Sequence, residues 1–187
     1  INPNKGQELA LRALASLPFG DAELWIAGTG GHRYVARLER LAQTLGIDAR
    51  VRFCGFLQDP LELYRVADAV LVCTAYEGMG RVTAEAMALG VPVIVTGWSG
   101  NMDFTDDTTA ALVGYELVDL ERSHGPDPAG GHWAEPDLAQ VIDWMRRLSA
   151  DSGLCRSIGT AARHLIVGSN GPSVVGQVMA DRLRSNR

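Results

Sequence analysis

Two glutamates, Glu77 and Glu85, stand on either side of the seven residues "GMGRVTA". Glu85 falls in a run of small and apolar residues, with Val82, Ala84, Ala86, Met87, Ala88 and Leu89 around it. A carboxylate packed in such surroundings must accept hydrogen bonds, because burying it without donors costs on the order of a few kcal/mol. Ligand hydroxyls could supply those donors, as a ribose diol does for an acidic residue in dinucleotide-binding folds. A helix-surface glutamate, or one paired with Arg81 four positions earlier, would account for the same residue. Glu77 precedes Gly78, where a solvated loop residue or a partner for a helix dipole is equally reasonable. The glycines Gly78 and Gly80 let a backbone approach a ligand without a Cβ in the way.

The elements that must carry these residues alternate along the chain. Short apolar runs at 22–28, 50–56, 69–75 and 91–97 read as buried strands, and 110–118 holds one or two short extended pieces. Helical spacing occurs over 5–17, over 32–46 with Gly46 closing it, and over 60–68 with Pro60 at its start. A further helix runs from about 81, and 136–150, 152–167 and 172–186 complete the set. "SGNMDF" could start another helix with Ser99 or Asn101 as its cap. Strands that are apolar throughout, separated by helices, imply an α/β fold: an open parallel sheet, Rossmann-like, with helices on both faces. Such sheets bind ligands where strand ends lead into helix N-termini, and "TAYEGMG" falls there. Exposed N–H groups and the helix dipole favour an anion at that position. "GTGG" at 28–31 is a poor dinucleotide fingerprint, since Arg33 stands where G-x-G-x-x-G needs its last glycine.

Composition bounds the class. The 187 residues suit one domain, and 47% hydrophobic with 21% charged residues allows a real core. A net charge of −5 argues against a general nucleic-acid binder. Cys54, Cys73 and Cys155 are far apart in apolar surroundings and read as reduced core residues, not a disulfide frame. His32, His124, His132 and His164 are dispersed and form no metal-ligand set. Trp25, Tyr64, Trp133 and Trp144 are expected to be core or interface aromatics rather than sugar platforms. Residues 121–131, rich in Gly, Pro and charge, read as a mobile surface loop.

The stretch "EGMGRVTAEAMALGVPVIVTGWSGNMDF" resembles the donor-binding motif of retaining GT-B glycosyltransferases of family 4, in which two glutamates flank seven residues. "ELWIAGTGG…RLERLAQTLGIDARVRFCGF" is similar to the strand-helix-strand before that motif. "HWAEPDLAQVIDWMRRLSAD" resembles a tail of many bacterial polysaccharide transferases. The resemblance implies a nucleotide-sugar transferase, with residues 1–187 as its C-terminal, donor-binding half and an N-terminal acceptor domain absent. In the family the first glutamate contacts hydroxyls of the transferred sugar, a role that falls on Glu77. The amides after it, here Gly78, Met79, Gly80 and Arg81, approach the sugar and diphosphate, and the second glutamate, Glu85, holds the ribose. Lys5 in "NPNKG" fits the lysine that neutralises the departing diphosphate, while the accompanying arginine would fall before Ile1. Main chain near "RFCGF" usually holds the base, which makes Phe53 to Phe56 candidates.

The implied donor is a GDP- or UDP-sugar, with mannose or a similar hexose expected, and no metal or other cofactor is required. The implied acceptor is a glycan or lipid-linked acceptor in bacterial surface polysaccharide synthesis, at the cytoplasmic face of the membrane. The isolated domain should bind nucleotide but transfer sugar poorly. A catalytically inactive nucleotide-binding scaffold is the alternative, with a dinucleotide-dependent oxidoreductase disfavoured by the failed fingerprint. In the family a strand precedes the "NKG" loop in mid-sheet, so the sheet is expected to have an open central slot.

Overall fold

The computed structural model describes residues 1–18, 20–120 and 130–185. A 3-10 turn, Pro3–Lys5, leads into helix α1 (Gln7–Ala15), followed by strand β1 (Leu24–Ala27) and helix α2 (His32–Thr44). Next come β2 (Val51–Gly55), α3 (Leu61–Val66), β3 (Val70–Val72), α4 (Arg81–Ala88), β4 (Val93–Thr96) and β5 (Ala111–Val113). The chain continues through β6 (Tyr115–Asp119), β7 (His132–Pro136), α5 (Leu138–Ala150), α6 (Ser152–Asn170) and α7 (Pro172–Ser185). The α/β class with parallel strands and helices on both faces is therefore present.

Every residue of β4 is buried, and β3 and β5 flank it in parallel. Alternate residues face opposite layers, as the pleat requires. Val72, Val93 and Val95 pack with Ala86 and Met87 of α4 and with Ala162 and Ile166 of α6. Cys73, Ile94, Ala111 and Val113 pack on the other side with Ala13 of α1 and with Val141 and Leu148 of α5. Burying one such aliphatic side chain is worth about 1.5–3 kcal/mol, so this three-stranded sheet is the stable platform of the fold. A second core joins Leu11 and Leu14 of α1, Ile26 of β1, and Leu38 and Ala42 of α2. α2 ends as expected: Gly46 takes φ +69°, and the amides of Gly46 and Ile47 donate to the carbonyls of Gln43 and Ala42.

The parallel strands fall into two sets, β1–β2 and β3–β4–β5. The split lies where the open slot is expected. Residues 1–5 sit between the two sets: the Ile1 ammonium donates to the Thr29 carbonyl, and the Ala75 amide donates to Asn4 O at 3.0 Å.

Several expectations are corrected. Residues 132–136, assigned no strand from the sequence, form β7 and pair antiparallel with β6. The Ala134 amide also donates to Ala75 O at 3.0 Å, a contact between distant segments that local pattern does not encode. The expected loop at 121–131 lies mostly outside the described residues, as does His124; Gly130 and Gly131 are described and both bond to Leu120. Of the three free cysteines only Cys73 is buried; Cys54 and Cys155 are half-buried. Of the two places expected for Trp25, core or interface, the core is excluded: it is an exposed strand residue with the Arg52 guanidinium 5.2 Å over its ring. The residues after β4 form a 3-10 turn, Ser99–Asp103, with Trp98 at the cap position, so neither Ser99 nor Asn101 caps a helix. Both side chains bond elsewhere. Among the described residues, no helix is long and apolar enough to cross a membrane.

Candidate functional site

After β3, Cys73 to Ala75 remain buried, the chain then turns outward through Tyr76 to Met79, and Gly80 is buried again. This departure is firmly anchored. Ala75 is bonded through its amide to Asn4 and through its carbonyl to Ala134, so the N-terminal turn and β7 both fix the base of the loop. Gly80 takes φ +63° just before α4, and among the described residues no side chain caps the first-turn amides of that helix. Those amides, with the positive end of the helix dipole, form an opening that favours a negative group. Among the described residues nothing lies within 4 Å of a Cβ placed at Gly78, and Met79 is largely exposed.

Lys5 reaches this loop across 72 residues of sequence, with Nζ 2.9 Å from Glu77 Oε2. Gly6 makes the approach possible: its φ is +71°, and a Cβ there would lie 2.0 Å from the Cys73 carbonyl oxygen. The Lys5 side chain is 42% exposed and that of Glu77 only 16%, so the cation stands at the rim and the carboxylate below it. An ion pair this accessible adds little stability, about 1 kcal/mol or less, which leaves Lys5 free to exchange partners.

Glu85 lies on α4 with its side chain 30% exposed. The Tyr64 hydroxyl on α3 donates to Glu85 Oε2 at 3.0 Å, and Arg81 Nε lies 3.4 Å from Oε1. Protein groups therefore supply donors to this carboxylate, and the i,i+4 pairing with Arg81 is realised. α4 is less enclosed than its composition implies, since Val82 is exposed while Thr83, Ala86 and Met87 are buried. Burial, and next the bond to Glu85, hold the Tyr64 hydroxyl well above its ordinary pKa, so it remains a donor at neutral pH. Tyr64 belongs to the core, as expected. Its polar role was not legible, because no short-range pattern connects α3 to α4.

The structure thus brings Lys5, Glu77, Gly78, Met79, Gly80, Arg81 and Glu85 into one loop-and-helix assembly. Phe53 belongs to the other strand pair, in β2, and Phe56 comes just past that strand's end. Phe53 packs against the second core, whereas Phe56, just past β2, is 74% exposed. The Gly55 carbonyl at that strand end accepts the Gly28 amide at 2.7 Å. His132 Nδ1 lies 2.7 Å from Asp119 on the β6–β7 hairpin. Among the described residues, no group of three or more His, Cys, Asp or Glu side chains is placed to hold a metal ion.

Residues 1–116 match the family described as glycosyl transferases group 1. The chain belongs to this family. The glycosyltransferase domain is 42% identical over 152 residues to an uncharacterized glycosyltransferase of Methanocaldococcus jannaschii, a match covering 75% of this chain and 38% of that protein. It is 34% identical over 155 residues to a GDP-mannose-dependent alpha-(1-6)-phosphatidylinositol monomannoside mannosyltransferase of Mycolicibacterium smegmatis, covering 71% and 40%. The glycosyltransferase domain therefore spans about two-fifths of the length of these relatives. In fold it is similar to HepE of Anabaena in complex with UDP, with TM-score 0.81 and 23% identity over 98% of this chain and 46% of that one. It is also similar to the C-terminal domain of a group 1 glycosyltransferase (LpcC) of Francisella tularensis, with TM-score 0.72 and 24% identity over 92% and 83%.

Proposed function

We propose that this domain is the donor-binding half of a retaining glycosyltransferase that takes a hexose from a nucleoside diphosphate. The juxtaposition that carries the reading is the Lys5–Glu77 pair at 2.9 Å beside the uncapped start of α4, which also bears Glu85. In this reading Glu77 accepts hydrogen bonds from hydroxyls of the transferred sugar. The amides from Gly78 to Arg81 meet the sugar and diphosphate, and Glu85 accepts from the ribose with the edge left open beside Tyr64 and Arg81. Main chain in the Phe53 to Phe56 stretch holds the base.

As the bond from the sugar to the diphosphate breaks, its electron pair stays on the phosphate oxygen. Lys5 then shifts from Glu77 toward that growing charge, and oriented amides stabilise it where water is excluded. These groups supply the charge stabilisation without assigning it to a metal. The donor is a GDP- or UDP-sugar: one relative is named for GDP-mannose, and HepE was solved with UDP and with UDP-glucose. The acceptor is a glycan or lipid-linked molecule of bacterial surface polysaccharide synthesis, met on the cytoplasmic side through a further domain of a longer enzyme. Alone, the domain binds donor and transfers sugar poorly.

Calorimetric titration with UDP, GDP and their hexose conjugates, wild type beside Glu85→Ala, tests the reading. Saturable binding of one nucleotide, weakened by the substitution, is expected. A folded wild-type domain that binds none of them would overturn it and favour a scaffold role.

A further inference from the structure

We propose that Ser99 is a positioning residue, part of a turn that clamps both ends of the segment from Glu77 to Thr83 and so aims the Glu77 carboxylate and the amides after it. This rests on the role given to Glu77 above. At the near end, Ser99 Oγ donates to the Glu77 carbonyl at 2.9 Å and the Gly100 amide donates to the same oxygen at 3.0 Å. Two donors on one acceptor fix the peptide plane between Glu77 and Gly78, which sets the direction of both the side chain before it and the amides beyond it. At the far end, Thr83 Oγ1 on α4 donates to Asn101 Oδ1 at 2.9 Å, with both residues fully buried. The uncapped stretch from Gly78 to Arg81 lies between these two attachments.

The contact leaves no slack. A Cβ at Gly100 would lie 2.2 Å from the Gly78 carbonyl oxygen and 2.9 Å from that of Glu77, so turn and loop meet backbone to backbone. Ser99 has φ +59° and is, among the described residues, the only non-glycine in the left-handed region. An L side chain holds that conformation only where its surroundings over-determine it. Here the turn is braced by Thr105 Oγ1, which donates to the Asn101 carbonyl at 2.7 Å, and by the Trp98 amide bonded to Thr96 O. Glycine would meet the backbone requirement with less strain but would lack the hydroxyl. The side chain at position 99 is therefore explained by its bond to the loop.

Hydrogen exchange on the unliganded chain tests this directly, with Ser99→Ala and Ser99→Gly beside wild type. Ser99→Gly relieves the left-handed strain, so it folds even if Ser99→Ala is destabilised. Losing one net hydrogen bond should speed exchange of the Gly100 amide, which donates to the Glu77 carbonyl, and of the Ala84 amide, which donates to the Gly80 carbonyl, by about fivefold in both variants, with α5 unchanged. A second readout is titration with UDP-glucose and UDP, in which both variants should lose more affinity for the sugar nucleotide than for UDP. Unchanged exchange of the Gly100 and Ala84 amides in Ser99→Gly overturns the positioning role, and so does unaltered UDP-glucose affinity where wild type binds it. If wild type binds no sugar nucleotide while exchange still accelerates, the clamp stands and the role assigned to Glu77 falls.

Discussion

α4, which carries Glu85, is seated on α6 through two glycines, and this contact allows a stringent test of the packing. A Cβ built on Gly159 of α6 would lie 2.0 Å from the Gly90 carbonyl oxygen and 2.9 Å from its carbon. Ordinary contact begins near 3.4 Å, so Gly159→Ala requires the backbones to part by 3.4 − 2.0 = 1.4 Å. Gly90 cannot easily turn its carbonyl away. It is held at φ +75° behind α4, with its amide bonded to Met87 O and the Val91 amide bonded to Ala86 O. Arg163 Nη1 also ties α6 to the Ala88 carbonyl at 2.8 Å.

Two effects oppose each other in this substitution. Alanine in a helix gains about 1 kcal/mol over glycine, while overpacking costs about 1–3 kcal/mol and tends to the upper end where backbone meets backbone. The clash should win by about 1–2 kcal/mol, which lowers Tm by roughly 2–8 °C for a domain of this size. Gly168 provides the control, because it lies on the same helix with nothing among the described residues within 4 Å of its added Cβ. Gly168→Ala should raise Tm by roughly 1–4 °C from propensity alone. Differential scanning calorimetry of the two variants decides the matter. If Gly159→Ala melts at or above wild type, or if both variants shift the same way, the α4–α6 contact is not as tight as described.

Two further outcomes follow from the site and the core. Tyr64→Phe removes the hydroxyl bonded to Glu85 Oε2, a charge-assisted bond that we discount to about 1 kcal/mol for the partial exposure of Glu85. Nucleotide affinity measured by calorimetry should fall about threefold to tenfold, and an unchanged value would detach Tyr64 from the site. Burial pushes the Cys73 thiol from an ordinary value of 9.0 up to about 12. A folded-state pKa above the unfolded one means that the fold keeps a proton the unfolded chain releases. Stability against urea should therefore be steady below pH 9 and fall as pH rises toward 12, less steeply in Cys73→Ala. An equal slope in the variant would assign alkaline unfolding to other groups.

Periodicity and spacing determined much of this protein without reference to its three-dimensional contacts. The apolar runs placed β1 through β5, helical spacing placed α1 through α6 within a few residues, and Gly46 marked the close of α2. The glycines between Glu77 and Glu85 marked the loop at the strand end. These signals are legible because burial on one helical face or on both sides of a strand constrains neighbours in sequence. Tertiary structure alone decided which groups meet. Lys5 faces Glu77 because Gly6 can lie against Cys73, and Tyr64 bonds Glu85 because α3 and α4 pack on the same side of β3. Strand β7 exists because β6 and Ala75 supply its partners, and Ser99 gives up a helix-cap role to hold a loop that precedes it by a whole helix and strand. Such pairings depend on how the crossovers return the chain across the sheet, which no local window of residues contains.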